Sequence, residues 1–221
     1  MYVWFYSRKI NNRFIRFVDL GKYASLITEL SNDKSIPKFS THLIYLTKAN
    51  YRHEIEEKII KSIMAKSPKR ADIYWFVHIN RVEEPHTLNY NVTELVEDKV
   101  IKININIGFR IQPKTELYFK KIIQDLIANK ELNLHTWENE LSKYTSEPDF
   151  KFVVIKKFLS VENEFSIRDG IILNSYFFLK RLSLSDENAF GLDKSDIVIE
   201  QIPLIYQQAN KFELVRKEPN L

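Results

Sequence analysis

Residues 41–79 read THLIYLTKANYRHEIEEKIIKSIMAKSPKRADIYWFVHI, and their changing period decides the fold. THLIYLT (41–47) is a short apolar run of strand length. HEIEEKIIKSIMAK (53–66) switches to a helical spacing, which predicts Ile55, Ile59, Ile60, Ile63 and Met64 on one face with charges opposite. ADIYWFVHI (71–79), aromatic and β-branched, is again a strand. Strand, helix and strand in this succession predict a parallel pair joined by a right-handed crossover.

Reading outward toward the C-terminus, TLNYNVTELV (87–96) and KVIKININIGF (99–109) alternate apolar and polar residues and meet at Glu97-Asp98. Tyr90 and Val92 in the first run, and Ile101, Ile103, Ile105 and Ile107 in the second, predict a hairpin with one buried face. PKTELYFKKIIQDLIANKEL (113–132) predicts a helix with Pro113 in its first turn and Leu117, Ile122, Leu126 and Ile127 in its apolar face. Residues 133–149 are polar and read as a connection. FKFVVIKKF (150–158) is a strand, SIRDGIILNSYFFLKRL (166–182) an apolar helix, and DIVIEQIPLIY (196–206) a last strand whose Pro203 fits a sheet edge or a bulge. The order βαβ-ββ-αβαβ predicts an α/β domain with a mixed, mostly parallel β-sheet and flanking helices. Toward the N-terminus, SNDKSIPKFS (31–40) is polar and turn-rich and reads as a linker. The expected organisation is therefore a leading segment and linker over 1–40 and an α/β domain over 41–221.

Composition narrows the chemistry. The 221 residues are 44% hydrophobic, enough for a sizeable core. A net charge of +4 arises from 33 bases interspersed with 29 acids, without the dense basic stripe of a nucleic-acid binder. There is no cysteine, which excludes disulfides and thiol chemistry. Gly occurs only four times, and no glycine-rich phosphate loop exists. No run is long and apolar enough to span a bilayer, and the opening lacks the order of a signal peptide. His42, His53, His78, His86 and His135 share no helical metal-ligand spacing, so no metal site is expected. No nucleophile elbow is present. The carboxylate pairs Glu56-Glu57 and Glu83-Glu84 sit in charged stretches read as solvated, which gives no general acid. The chain is expected not to be an enzyme and to hold no cofactor.

Two features suggest binding. The opening MYVWFYSRKINNRFIRF places Tyr2, Trp4, Phe5 and Tyr6 ahead of Arg8, Lys9, Arg13 and Arg16. Aromatic rings followed by bases suit the cytoplasmic exit of a transmembrane helix, with residues 1–18 against the membrane surface. They equally suit a small amphipathic helix packed on its own domain. The second feature is topological, because ligands of open α/β sheets bind beyond the carboxyl ends of parallel strands. The first strand is followed by Lys48, Asn50, Tyr51 and Arg52, and the second ends in His78, Asn80 and Arg81. If the hairpin returns its second strand parallel to 71–79, GFRIQP brings Phe109, Arg110 and Gln112 to the same rim, beside a helix N-terminus that favours phosphate. Rings that stack on bases and cations that pair with phosphate would then share one rim. The alternative is that these side chains only solvate the sheet edge.

MYVWFYSRKINNRFIRFVDL (1–20), SNDKSIPKFSTHLIYLT (31–47), PKRADIYWFVHINRVEEPHT (68–87), GFRIQPKTELYFKKIIQDL (108–126) and AFGLDKSDIVIEQIPLI (189–205) resemble, in order and nearly end to end, the cytoplasmic C-terminal region of KUP-type potassium uptake transporters of lactic acid bacteria and related Firmicutes. These are proton-coupled potassium symporters. The resemblance implies a cytosolic regulatory domain on the cytoplasmic side of the cell membrane, with the transmembrane part of the same transporter as partner. The family's membrane part, about twelve helices, has no counterpart here, so no transport residue carries over. The resemblance further implies a second-messenger nucleotide, cyclic di-AMP, as an inhibitory ligand. A homodimer is expected from the apolar surplus of 171–182 (Ile171, Ile172, Tyr176, Phe177, Phe178 and Leu179), which meets either a second chain or the domain's own sheet. The alternative to a nucleotide sensor is a ligand-free dimerisation domain.

Overall fold

The computed structural model describes residues 5–7, 9, 12, 15–132, 149–159, 167–182, 191–192 and 197–204. By its internal contacts the chain divides into two units. One is Ile15–Ile155 with Leu184–Glu200, and the other is Met1–Phe14 with Lys156–Ser183 and Gln201–Leu221.

In chain order the elements are β1 (Phe17–Asp19), α1 (Gly21–Asn32), β2 (Lys38–Thr47), β3 (Glu54–Glu56), α2 (Glu57–Ile63), β4 (Arg70–Val82), β5 (Leu88–Val96), β6 (Val100–Gly108), α3 (Thr115–Ala128), β7 (Phe150–Leu159), α4 (Ile167–Leu182) and β8 (Ile197–Leu204). Six strands form one sheet in the order β5-β6-β4-β2-β7-β8. Within this sheet β2 pairs parallel with β4 and with β7, β4 pairs parallel with β6, and the β5–β6 hairpin is antiparallel. The expected α/β architecture and mixed, mostly parallel sheet are therefore present. Pro203 lies in β8, an edge strand, the place in a sheet where a residue without an N–H is tolerated.

Successive strand residues point to opposite sides, and this sorts the core into two layers. Ile44 of β2, Ile73, Trp75 and Val77 of β4, and Ile101, Ile103, Ile105 and Ile107 of β6 share one face. Phe119, Ile122, Ile123 and Leu126 of α3 pack there. Phe119 meets Trp75, Phe150 and Phe152 edge-on, with centroids 5.3–5.8 Å apart. Leu43 and Tyr45, Tyr74 and Phe76, and Val100 share the opposite face with Ile27 and Leu30 of α1 and Ile59, Ile60 and Ile63 of α2.

Local readings need five corrections. The helix expected over 53–66 begins only at Glu57, because Glu54–Glu56 form β3, which pairs antiparallel with β1 and puts Ile55 opposite Val18. α1 went unread, although its buried Ala24, Ile27, Leu30 and Ser31 recur at three- and four-residue steps. Its last residues occupy the start of the expected linker, and β2 begins at Lys38. Pro113 lies ahead of α3 rather than in its first turn. Leu117 is half exposed rather than part of that helix's buried face, which runs through Thr115, Phe119, Ile122, Ile123 and Leu126. The connection expected over 133–149 lies, apart from Asp149, outside the described residues.

In the second unit, α4 buries Ile172 and Leu173 but exposes Ile171, Phe178 and Leu179. Phe5–Ser7, Lys9 and Asn12 have helical backbone, with Phe5 exposed and edge-on to Tyr6. Among the described residues no helix is long and apolar enough to cross a membrane.

Candidate functional site

β2 stops at Thr47, level with His78 in β4, and the chain then crosses as a strap, Lys48–His53, to reach β3. Two buried charges fasten this strap. Glu56 Oε2 accepts the Thr47 hydroxyl at 2.7 Å and the Lys48 backbone N–H at 3.1 Å, while its carboxylate lies 3.4 Å from Lys58 Nζ. From β6, the Lys102 ammonium donates to the backbone carbonyls of Tyr51 and of Glu54, the latter at 2.8 Å. Burial pushes the Lys102 pKa down to about 8, against the opposing pull of Glu54 and Glu56. His78 donates from Nδ1 to the Thr47 carbonyl at 3.0 Å. Burial lowers its pKa, with nearby Lys102 acting in the same direction and the Thr47 bond against it, which favours neutral imidazole.

With its backbone held from below, the strap turns its side chains outward except for the buried Ala49. Lys48, Asn50, Tyr51 and Arg52 are all exposed, Tyr51 at 72%. Beneath and beside them lies the C-terminal half of one sheet face. It carries His78 and Asn80 of β4, Lys102, Asn104 and Asn106 of β6, and Asn89 and Asn91 of β5, in register.

The expected return of the hairpin parallel to β4 holds, but the rim is stepped and two-sided. Gly108 pairs with Val82, four residues beyond the His78 level where β2 ends, a rise of about 13 Å. Arg81 shares the α3 face of β4 by parity, whereas His78 and Asn80 share the opposite face with the strap. Arg81 donates to the Gly108 carbonyl at 3.4 Å and to the Ile111 carbonyl at 3.0 Å. Phe109 is exposed at 61%, with the Arg110 guanidinium 5.9 Å from its ring centroid. Gly108 is required at this step, since a Cβ there would sit 2.3 Å from the Glu84 carbonyl oxygen. The structure thus gathers Lys48, Asn50, Tyr51, Arg52, His78 and Asn80 on one side, and sets Arg81, Phe109 and Arg110 apart.

Sequence reasoning missed Glu56 and Lys102. Glu56 was read as solvated, yet it is buried because β3 turns it inward to the strap. Glu83 and Glu84 are exposed as expected. The Asn residues of KININIG were passed over in favour of the Ile residues. Their strict alternation was the available signal for a polar second face. Among the described residues no group of three His, Asp or Glu is placed to hold a metal ion.

The sequence model of the family described as "K+ potassium transporter C-terminal domain" matches residues 40–204. The chain is 44% identical to the Probable potassium transport system protein Kup of Flavobacterium johnsoniae, over 98% of this chain and 33% of that protein. It is 43% identical to the Cytophaga hutchinsonii protein of the same name, over the same shares. The Lactobacillus johnsonii protein Kup 1 is 34% identical over 99% of this chain and 32% of its own length. The chain therefore spans about a third of the length of these curated relatives. No solved structure matches.

Proposed function

The chain belongs to the K+ potassium transporter C-terminal domain family, and from that premise we propose that it is the cytoplasmic regulatory domain of a potassium:proton symporter, which binds cyclic di-AMP and thereby inhibits potassium uptake. Its partner in this reading is the membrane-embedded remainder of the same transporter. In this reading residues 1–18 rest against the membrane surface, and the sheet with the elements that cover it forms the sensor.

The observation that carries the reading is the fastened strap over a half-open polar face. Cyclic di-AMP has two adenines and two phosphates, so it needs stacking rings, edge-reading groups and cations. Tyr51 offers a ring, Lys48 and Arg52 offer charge, and Asn50, His78 and Asn80 offer edge contacts. Phe109, Arg110 and Arg81 supply a second, more distant set of the same chemistry. Calorimetric titration of the chain with cyclic di-AMP, with cyclic di-GMP as control, tests the proposal. Arg52→Ala should weaken binding about tenfold to a hundredfold with an unchanged melting temperature. Arg81→Ala should matter less, because its guanidinium is already bonded to two carbonyls on the other face. Absence of binding at high micromolar nucleotide would overturn the reading.

A second reading, dimerisation, is favoured by α4. Ile171, Phe178 and Leu179 are exposed at 63%, 63% and 49% and recur at helical spacing, so they form one apolar stripe. In this reading a second copy covers the stripe, and Phe178→Glu weakens the dimer in analytical ultracentrifugation. A parent chain that stays monomeric at high micromolar concentration would exclude it.

A further inference from the structure

The sheet ends on one side in β5, and among the described residues no strand lies beyond it. The hairpin fixes which backbone groups face inward. Thr87 continues the β5–β6 register to Gly108, and its carbonyl accepts the Gly108 N–H at 2.7 Å, so this is a hydrogen-bonded pair. Such pairs alternate along an antiparallel ladder. Asn89, Asn91 and Thr93 therefore turn their backbone groups toward Asn106, Asn104 and Lys102 of β6. Leu88, Tyr90, Val92 and Glu94 turn theirs outward, and among the described residues no turn or loop bond takes them up. Leu88, Tyr90 and Glu94 are exposed and Val92 is partly so, which leaves the outward row open to a partner. An open edge of this length is usually blunted by Lys, Pro or a bulge. β8, at the other end of the sheet, contains Pro203. β5 contains no Pro, Lys or Arg, and its register shift comes only after Glu94. Leu88–Glu94 is thus a regular, unguarded stretch of edge.

We infer that β5 pairs with β5 of a second copy of this chain, antiparallel and about a two-fold axis at Asn91, so that two sheets join edge to edge. Asn91 is the middle residue of Leu88–Glu94, and this register therefore pairs the whole regular stretch with itself. On the α3 side Tyr90 faces Val92 of the second copy, an aromatic and β-branched pair that the symmetry makes twice. On the polar side Asn89 faces Thr93 of the second copy, amide against hydroxyl, again twice, and Asn91 faces its own counterpart. Glu94 is the sole charge in the stretch and faces Leu88 of the second copy, so no like charges stand opposite. An axis at Val92 would instead set Tyr90 against Glu94 and run the shifted end of β5 into the new ladder. The two-fold contact uses the same edge of both chains and closes on itself, which leaves no β5 edge for a third. The inference is independent of the nucleotide reading and uses a surface other than the α4 stripe.

The test is sedimentation equilibrium of the full chain at high micromolar concentration, in a Phe178→Glu background that takes the α4 stripe out of the outcome. Dimers should persist in that background. Asn91→Lys sets two ammonium groups opposite each other at the axis and should weaken association about tenfold, and Asn91→Asp should do the same with two carboxylates. An equimolar mixture of the two variants should associate at least as tightly as the background, because unlike charges then meet. Only a contact of residue 91 with its own counterpart gives that recovery. A monomeric background, or a mixture no tighter than the separate variants, would overturn the inference. If the variants fail to fold, hydrogen exchange of the parent chain decides. Raising its concentration should slow exchange at the outward amides of Leu88, Tyr90, Val92 and Glu94. The amides of Asn89, Asn91 and Thr93, already turned to β6, should keep their rates. Outward amides whose exchange ignores concentration would end the proposal.

Discussion

The two faces of the sheet are built from the same strands and differ in how far they are covered. On the α3 side the apolar run is continuous, from Ile101 to Ile107 along β6 and from Ile73 to Val77 along β4. On the other side β1, α1, β3 and α2 cover only one half. Val100, Tyr74 and Phe76 are buried there, but the same rows continue as Lys102, Asn104, Asn106, His78 and Asn80. A β-strand assigns alternate residues to alternate faces, so one strand can meet two solvents at once. KININIG does so, giving its Ile residues to a closed core and its Asn residues to an open half-face. The lesson is that the position where a face turns polar marks where its helical cover ends, and that is where the candidate site lies.

The contrast is sharpest in its largest expected effect. Phe119 is fully buried and touches three other rings of the covered face. Phe119→Ala should cost about 3–5 kcal/mol in urea unfolding. A cost below that of any polar substitution on the half-open face would break the comparison.

The covered face also holds an imidazole, His42, whose Nδ1 accepts the Trp75 indole N–H at 3.2 Å. Burial lowers its pKa from the usual 6.5 to about 4. A depressed native value means that the unfolded chain takes up the proton first as pH falls. Stability is thus fully present above pH 6.5 and is lost as the pH drops toward 4, by about 3 kcal/mol at most. Unfolding midpoints measured from pH 7 to 4 should fall more steeply for the parent than for His42→Phe. Parallel curves would show that His42 is not held neutral by the core. His78 on the other face also has a lowered pKa and contributes the same sign in both proteins.

The smallest of the three effects belongs to the half-open face. Lys102→Met should cost about 1–3 kcal/mol, because the Tyr51 and Glu54 carbonyls lose their donor. Its pH signature is opposite in place but alike in sign: with a native pKa of about 8 against 10.5 unfolded, the parent should gain stability as pH rises from 8, and Lys102→Met should lack that gain. Hydrogen exchange should show strap amides opening in the variant while the Trp75–Phe119 layer stays protected. Loosening of both layers together would show that the two faces are one cooperative unit.

Much of this was legible before any coordinates. The switch of period at 53–66 fixed a crossover, and the parallel β2–β4 pair follows from it. Ile101, Ile103, Ile105 and Ile107 announced the buried face of the hairpin, and of the two places Pro203 suited, an edge or a bulge, β8 is the edge. What misled were short elements whose conformation is set by a distant partner. Ile55 fits a helical stripe, yet pairing with Val18 draws it into β3. Leu117 fits an apolar count, yet the helix is rotated so that Phe119 meets the sheet.

By itself the sequence determined the alternation within each strand, the parallel crossover and the types of side chain at the strand ends. Those follow from local periodicity and from order along the chain, which need no knowledge of what packs against what. Only the tertiary structure decided that β4 runs on through Asn80 and Arg81, past the level where β2 stops, so that the two residues serve opposite faces of the sheet there. It alone placed Glu56 and Lys102, separated by 46 positions in sequence, as the two fasteners of one strap. The reason is that burial of a charge and satisfaction of an amide depend on groups brought from other elements. Where β2 stops, how far β4 runs past it and how much of the face α1 and α2 cover are set by packing, and these three facts together place the candidate site.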